Sequence, residues 1–119
     1  MSRPDNTIIQ TVTIGAGASL SGASTLYKGY RLVGLCTAST WDAAKISFAV
    51  SNDDSTYYTL YDEDGAEVNV SNALTGAAAV AVDPANFIAW DYIKVRSGVV
   101  GTPTNQVDAT IVTLVMMPF

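Results

Sequence analysis

From Thr7 onward the chain reads as short runs with a period of two rather than 3.6. TIIQTVTI (7–14) and KISFAVS (45–51) mix β-branched and aromatic residues with partial alternation, the pattern of strands laid on a core. LYKGYRLVGLCT (26–37) is longer, and Gly29 within it predicts a bulge or bend. YYTLYD (57–62), AEVNV (66–70), AAVAV (78–82), YIKVRS (92–97) and VDATIVTLVMM (107–117) complete the strand candidates. Between them lie GAGASLSGAS, SNDDS, DEDG, DPAN and SGVVGTPTNQ, all rich in turn-forming residues.

About eight short strands, with turns every 8–12 residues or so, predict an antiparallel β-sandwich or barrel. The first and last strand patterns are both long and β-branched, so a jelly roll with its terminal strands in one sheet is expected. Helix is expected in at most a turn or two, first at STWDAAK (39–45), where Ser39 or Thr40 can cap. ALTGAAA (73–79) is rich in alanine but interrupted by glycine and too short to hold a helix alone. In YIKVRSG, Tyr92, Lys94 and Arg96 share one face and Ile93 and Val95 the other, so Arg96 is placed to pair with a turn carboxylate.

Composition narrows the function more than the fold. The 119 residues suit one domain, with residues 7–119 as the sandwich and residues 1–6, MSRPDN, as an arm ahead of it. Hydrophobic residues make up 49% and charged residues 14%, which excludes a disordered chain. The net charge of −5, with basic residues scattered singly, gives no footprint for nucleic acid. No apolar run approaches the ~20 residues of a membrane-spanning helix, and the polar start is unlike a secretory signal. Cys36, the only cysteine, sits in an apolar run and is expected to be a small buried hydrophobe. The absence of histidine removes the commonest general base and most zinc sites.

The chemically suggestive stretch is SNDDSTYYTLYDEDG (51–65), dense in carboxylates. An EF-hand alignment on Gly65 puts Leu60 and Ser71 where ligands are required, so that pattern fails. Asp54 and Asp62 bracket a strand and would stand ~20 Å apart, too far for paired glycosidase carboxylates. Asp-Gly and Asn-Asp are turn formers, and the acids are expected to make two turns, with no metal, no cofactor and no enzyme activity. Trp41, Tyr57, Tyr58 and Trp90 fall near predicted strand ends. They are either sandwich-closing residues or an aromatic platform.

WDAA (41–44), LYDEDG (60–65), VRSG (95–98) and TNQ (104–106) occur together at a spacing that resembles small virion proteins of tailed bacteriophages and prophages. The resemblance spans about residues 26–117. Its matching positions include Trp41, Ala43, Ala44, Ser51, Leu60, Tyr61, Asp62, Gly65, Arg96, Ser97, Gly98, Asn105 and Gln106. Ser55, where Gly is expected after Asp, and Thr104, where Val is expected, depart from it. The resemblance implies a β-sandwich that decorates or cements the outer surface of the capsid. Its partners would be the major capsid protein and further copies of itself, as a homotrimer assembled in the host cytoplasm. Arg3, Pro4 and Asp5 in the arm are then the expected contacts with the shell or a neighbouring subunit. Similar sandwiches on tails and fibres bind host carbohydrate. Under that alternative Trp41, Tyr57, Tyr58 and Trp90 would touch the glycan.

Overall fold

The computed structural model describes residues 6–118. The strands are β1 (Ile8–Ile14), β2 (Ser24–Thr25), β3 (Tyr30–Thr37), β4 (Ala44–Ser51), β5 (Tyr58–Thr59), β6 (Asn69–Leu74), β7 (Ala78–Ala81), β8 (Tyr92–Val99), β9 (Thr102–Pro103) and β10 (Thr110–Pro118). One sheet, sheet A, runs β1-β10-β3-β7, and its pairings are all antiparallel. The other, sheet B, runs β2-β8-β4, with β5 and β6 on successive stretches of the far edge of β4 and β9 added to β8.

Counting β5 and β6 as one position and setting β9 aside, the two orders are those of a jelly roll. As expected, the first and last strands lie side by side, Ile8 opposite Met116 and Ile14 opposite Thr110.

The core fills the space between the sheets. Val12, Ile14, Leu32, Leu35, Val112, Leu114 and Met116 come from sheet A, and Ile46, Phe48, Val50, Ile93 and Val95 from sheet B. Phe48 meets Phe87 edge to face, with ring centroids 5.0 Å apart. Truncating either ring removes a fully buried side chain, a change of about 3–5 kcal/mol.

Several local expectations shift. The helical turn at 39–45 is absent. Trp41 instead closes a tight turn by donating its N–H to the Ala38 carbonyl at 3.0 Å, and the strand starts at Ala44. The short helix is a 3-10 turn at Pro84–Asn86, where the Asp83 side chain caps Ala85 N–H and Pro84 takes the first position, whose N–H has no helical partner anyway. Gly29 does bend the chain, with φ 78, just before β3. The bulge falls further on, opposite Val115/Met116 in the β3–β10 ladder. That bulge puts Cys36 on the outer face of sheet A, half-buried, and not in the core.

Candidate functional site

Three of the four motifs meet at one buried amide. Gln106 has no exposed surface, although it lies in a loop between β9 and β10. Its Oε1 accepts Asp42 N–H at 2.7 Å, and its Nε2 donates to the Asp42 carbonyl at 3.1 Å and to Ser97 Oγ at 2.8 Å. Asp42 returns the contact through Oδ2, which accepts Val107 N–H at 2.7 Å. The Gln106 main chain also bonds Gly17 and Ala18. WDAA, VRSG and TNQ are thus joined by a side chain that can donate and accept at once, which a buried loop crossing needs.

Gly98 belongs to the same corner. Its φ is 91, and a Cβ there would stand 2.7 Å from the Thr102 carbonyl oxygen and the Thr104 nitrogen, so only glycine fits.

Arg96 pairs with Glu67, a carboxylate of the AEVNV segment rather than of a turn, at 3.4 Å, with both side chains largely covered. The guanidinium also reaches Ser47 and Thr59, and Glu67 accepts Val100 N–H at 3.0 Å. These groups hold the outer face of sheet B together.

The two acidic clusters are turns. Asp53 Oδ1 accepts Ser55 N–H, Thr56 N–H and the Ser51 hydroxyl, and Ser51 Oγ accepts Asp53 and Asp54 N–H. The backbone donors, Thr56 first and then Ser55, hold the Asp53 carboxyl below the ordinary aspartate value of 3.8. Asp54 takes φ 58 and accepts the Tyr57 hydroxyl. Burial of that phenol, then the bond to Asp54 and its charge, raise the Tyr57 pKa. Asp62 Oδ1 accepts Asp64 and Ala66 N–H, and Gly65 closes the second turn at φ 83. Among the described residues, no group of three or more His, Cys, Asp or Glu could hold a metal ion.

The aromatic candidates separate. Trp41 is 2% exposed, part of the core, and presents no surface to a glycan. Its loop is drawn inward by Gln106, so a tryptophan ahead of a strand becomes a core residue. Tyr58, 64% exposed, and half-buried Trp90 line one recess of about 220 Å³ with Ser51, Asn52, Asp53 and Thr56. Tyr57 lies under Lys94, whose Nζ is 4.3 Å from the ring centroid, and does not line that recess. Trp90 also borders a wider cleft of about 470 Å³ between the Asp62–Gly65 turn and the 3-10 turn, with Tyr61, Glu63, Asp83 and Asn86 around it. Arg3, Pro4 and Asp5 lie outside the described residues.

Periodicity did not single out the outer face of sheet A. Ile9, Thr11 and Thr13 of β1 line up with Val115, Thr113 and Ile111 of β10, and these with Gly34 and Cys36 of β3 and Ala79 and Ala81 of β7. Over Gly34 the surface sinks into an apolar groove of about 320 Å³. An antiparallel sheet facing water is ordinarily polar on that side. The signal was present in TIVTLVMM, which is apolar at both parities rather than one, and in Ile9 of IIQTVTI.

Set against family models, curated proteins and solved structures, the chain matches none.

Proposed function

We propose that this chain is a structural virion protein of a tailed phage, decorating or cementing the outer surface of the capsid through the major capsid protein, without catalysis. The observation that supports this reading best is the outer face of sheet A. Arg31 is the one charged residue that its four strands place there, and apolar and small side chains make up most of the rest. A face of that chemistry on a chain of net charge −5 suits a protein partner better than solvent.

The motifs add support from the other direction. WDAA, VRSG and TNQ meet at Gln106, and LYDEDG closes a turn, so the residues that carry the resemblance build the fold. The test is to add purified chain to heads of the phage that encodes it, prepared without it, and to sediment them. The chain should co-sediment with heads and appear on their outside. Sedimentation with tails alone would overturn the reading.

A second reading rests on Tyr58 and Trp90. Two of the four candidate aromatics line one recess beside Asn52 and Asp53, an arrangement in which a sugar ring stacks while its hydroxyls bond to the polar groups. Binding to host glycans that disappears in Trp90→Ala, by a chain that ignores heads, would put this reading in place of the first.

A further inference from the structure

Sheet A ends at β1, and two hydrogen bonds fix which backbone groups of that strand face outwards. Val82 N–H donates to the Val33 carbonyl at 3.1 Å, so Val33, Leu35 and Thr37 turn their polar groups toward β7. Residues of an antiparallel ladder alternate in the side to which they bond. Gly34 and Cys36 therefore face β10, Val112 and Leu114 face β1, and Gln10 and Val12 face β10. Ile9, Thr11 and Thr13 are left with N–H and C=O groups pointing away from the sheet. The bond from Gly22 N–H to the Thr13 carbonyl, at 3.3 Å, reaches β1 from that outer side and agrees.

Open edges invite pairing with another chain, and proteins usually blunt them. Among the described residues the other edges are blunted. β2, β5 and β9 have two residues each and β9 contains Pro103, β7 has four, and the ladder of β6 is broken by a register shift. β1 differs in every respect. It runs for seven residues, IIQTVTI, with no register shift against β10, no proline and no charge. Ile9 is 49% exposed beside it. Two chains of net charge −5 repel, and β1 with its neighbour β10 is where they can meet without opposing carboxylates.

We propose that β1 pairs antiparallel with β1 of a second copy, centred on Gln10, making one continuous sheet from the two copies of sheet A. In this register Ile9 of each copy stands opposite Thr11 of the other, and the pair exchanges both N–H···O=C bonds. Gln10 faces Gln10, and Ile8 faces Val12. A register centred on Thr11 would need the Thr13 carbonyl that Gly22 occupies, whereas the Gln10 register uses groups of Ile9 and Thr11 that no other described residue bonds. The edge is self-complementary about a two-fold axis, which is why a second copy fits it. This is a two-fold pair, unlike the trimer that the resemblance implies, and it holds whether or not the chain sits on a head. One strand edge buries well under the ~1,200 Å² of a standard stable interface, so the pair is weak and concentration-dependent.

Sedimentation equilibrium from about 1 µM to about 1 mM covers the range of such a pair. The full chain should pass reversibly from monomer to dimer. Thr11→Pro removes an outward N–H that the ladder does not use, and Pro is tolerated there only because that N–H faces away. The double variant Ile9→Lys/Thr11→Lys sets like charges opposite each other and should raise the dissociation constant about tenfold or more. Both should keep the strand spectrum and a cooperative melt. Should Thr11→Pro fail to fold, the lysine variant carries the test alone. In a Cys36→Ser background, Gln10→Cys should oxidise to a covalent dimer, because non-hydrogen-bonded pairs bring Cα atoms to about 4.5 Å. A monomer at every concentration, or an oligomer of any size unchanged by the lysine variant, would overturn the proposal.

Discussion

Replacing Gln106 by Ala tests whether one amide holds the loops of this sandwich together. The side chain is 0% exposed, and its loss removes bonds to Asp42 N–H, the Asp42 carbonyl and Ser97 Oγ. A net contribution of about 1 kcal/mol per bond, and roughly 1–3 kcal/mol for each buried group left unpaired, predict a loss of about 3–5 kcal/mol. A domain of this size has a total of about 6–15 kcal/mol, so roughly a fifth of it at the least would go. The melting temperature should fall by about 10–20 °C. Urea unfolding followed by tryptophan fluorescence suits the test, because Trp41 is a core residue next to Asp42.

Val107→Ala is the control, since Val107 is 74% exposed and should change stability by less than about 0.5 kcal/mol. Gln106→Glu adds a finer check. It keeps an acceptor for Asp42 N–H but turns a carboxylate toward the Asp42 carbonyl and Ser97. A carboxyl buried in that way titrates above its ordinary value, so this variant should regain stability as the pH is lowered. A loss below about 1 kcal/mol in Gln106→Ala, or an equal loss in Val107→Ala, would mean that the amide does not hold these loops.

Gly98→Ala should destabilise by about 2 kcal/mol or more, because a Cβ meets fixed main chain at 2.7 Å and the φ of 91 disfavours any side chain. Thermal melts of the two proteins check it, and an unchanged melting temperature counts against the corner geometry. The Asp53 carboxyl should titrate below 3.8 in NMR, since Thr56 and Ser55 N–H groups stabilise its charged form. Its folded pKa is depressed, so its contribution is present above the unfolded value and is lost as pH falls through the folded one. Asp53→Asn should therefore flatten the decline in stability below about pH 4. A wild-type titration at or above the ordinary value would contradict it.

The strands that alternate or run apolar over their full length were legible in the sequence. KISFAVS and YIKVRS became β4 and β8 with little change, and the pairing of chain ends followed from two long β-branched runs. Segments governed by a distant side chain were not legible. AEVNV was expected to be a strand from Ala66, yet the ladder with β4 begins at Asn69, because the backbone of 66–68 is taken up by residues 60–62, with Asp62 N–H on the Ala66 carbonyl and Val68 N–H on the Leu60 carbonyl. Trp41 was expected to close the core rather than form a platform, and it does; the loop contact beside it was not legible. Gln106 holds Asp42, the residue after Trp41, and no local pattern reports a partner that far along the chain. Cys36 was placed in the core by its apolar neighbours, and the bulge opposite Val115/Met116 turned it outwards. Of the candidate aromatic site, the sequence supplied the residue types. Only the bonds from Asp91 N–H to the Ser51 carbonyl and the Asn52 side chain set Trp90 beside the 51–56 turn and into one recess with Tyr58.

The position of β10 sets a schedule for folding during synthesis. This strand, residues 110–118, lies between β1 and β3 in sheet A, so the slot beside β1 stays empty until about a hundred residues beyond β1 have been made. At about 5–20 residues per second, the ribosome takes roughly 5–20 s to cover that interval. During that time β1 has neither of its long edges satisfied by the strand that will cover one of them, and the core side chains Val12 and Ile14 face water. Insertion of a late strand into the middle of a sheet is a non-local event, of the kind that folds in milliseconds to seconds. On a crowded polysome, neighbouring nascent chains therefore expose the same uncharged strand at the same moment. Expression yield should depend on synthesis rate and temperature more steeply than the stability of the finished domain would suggest.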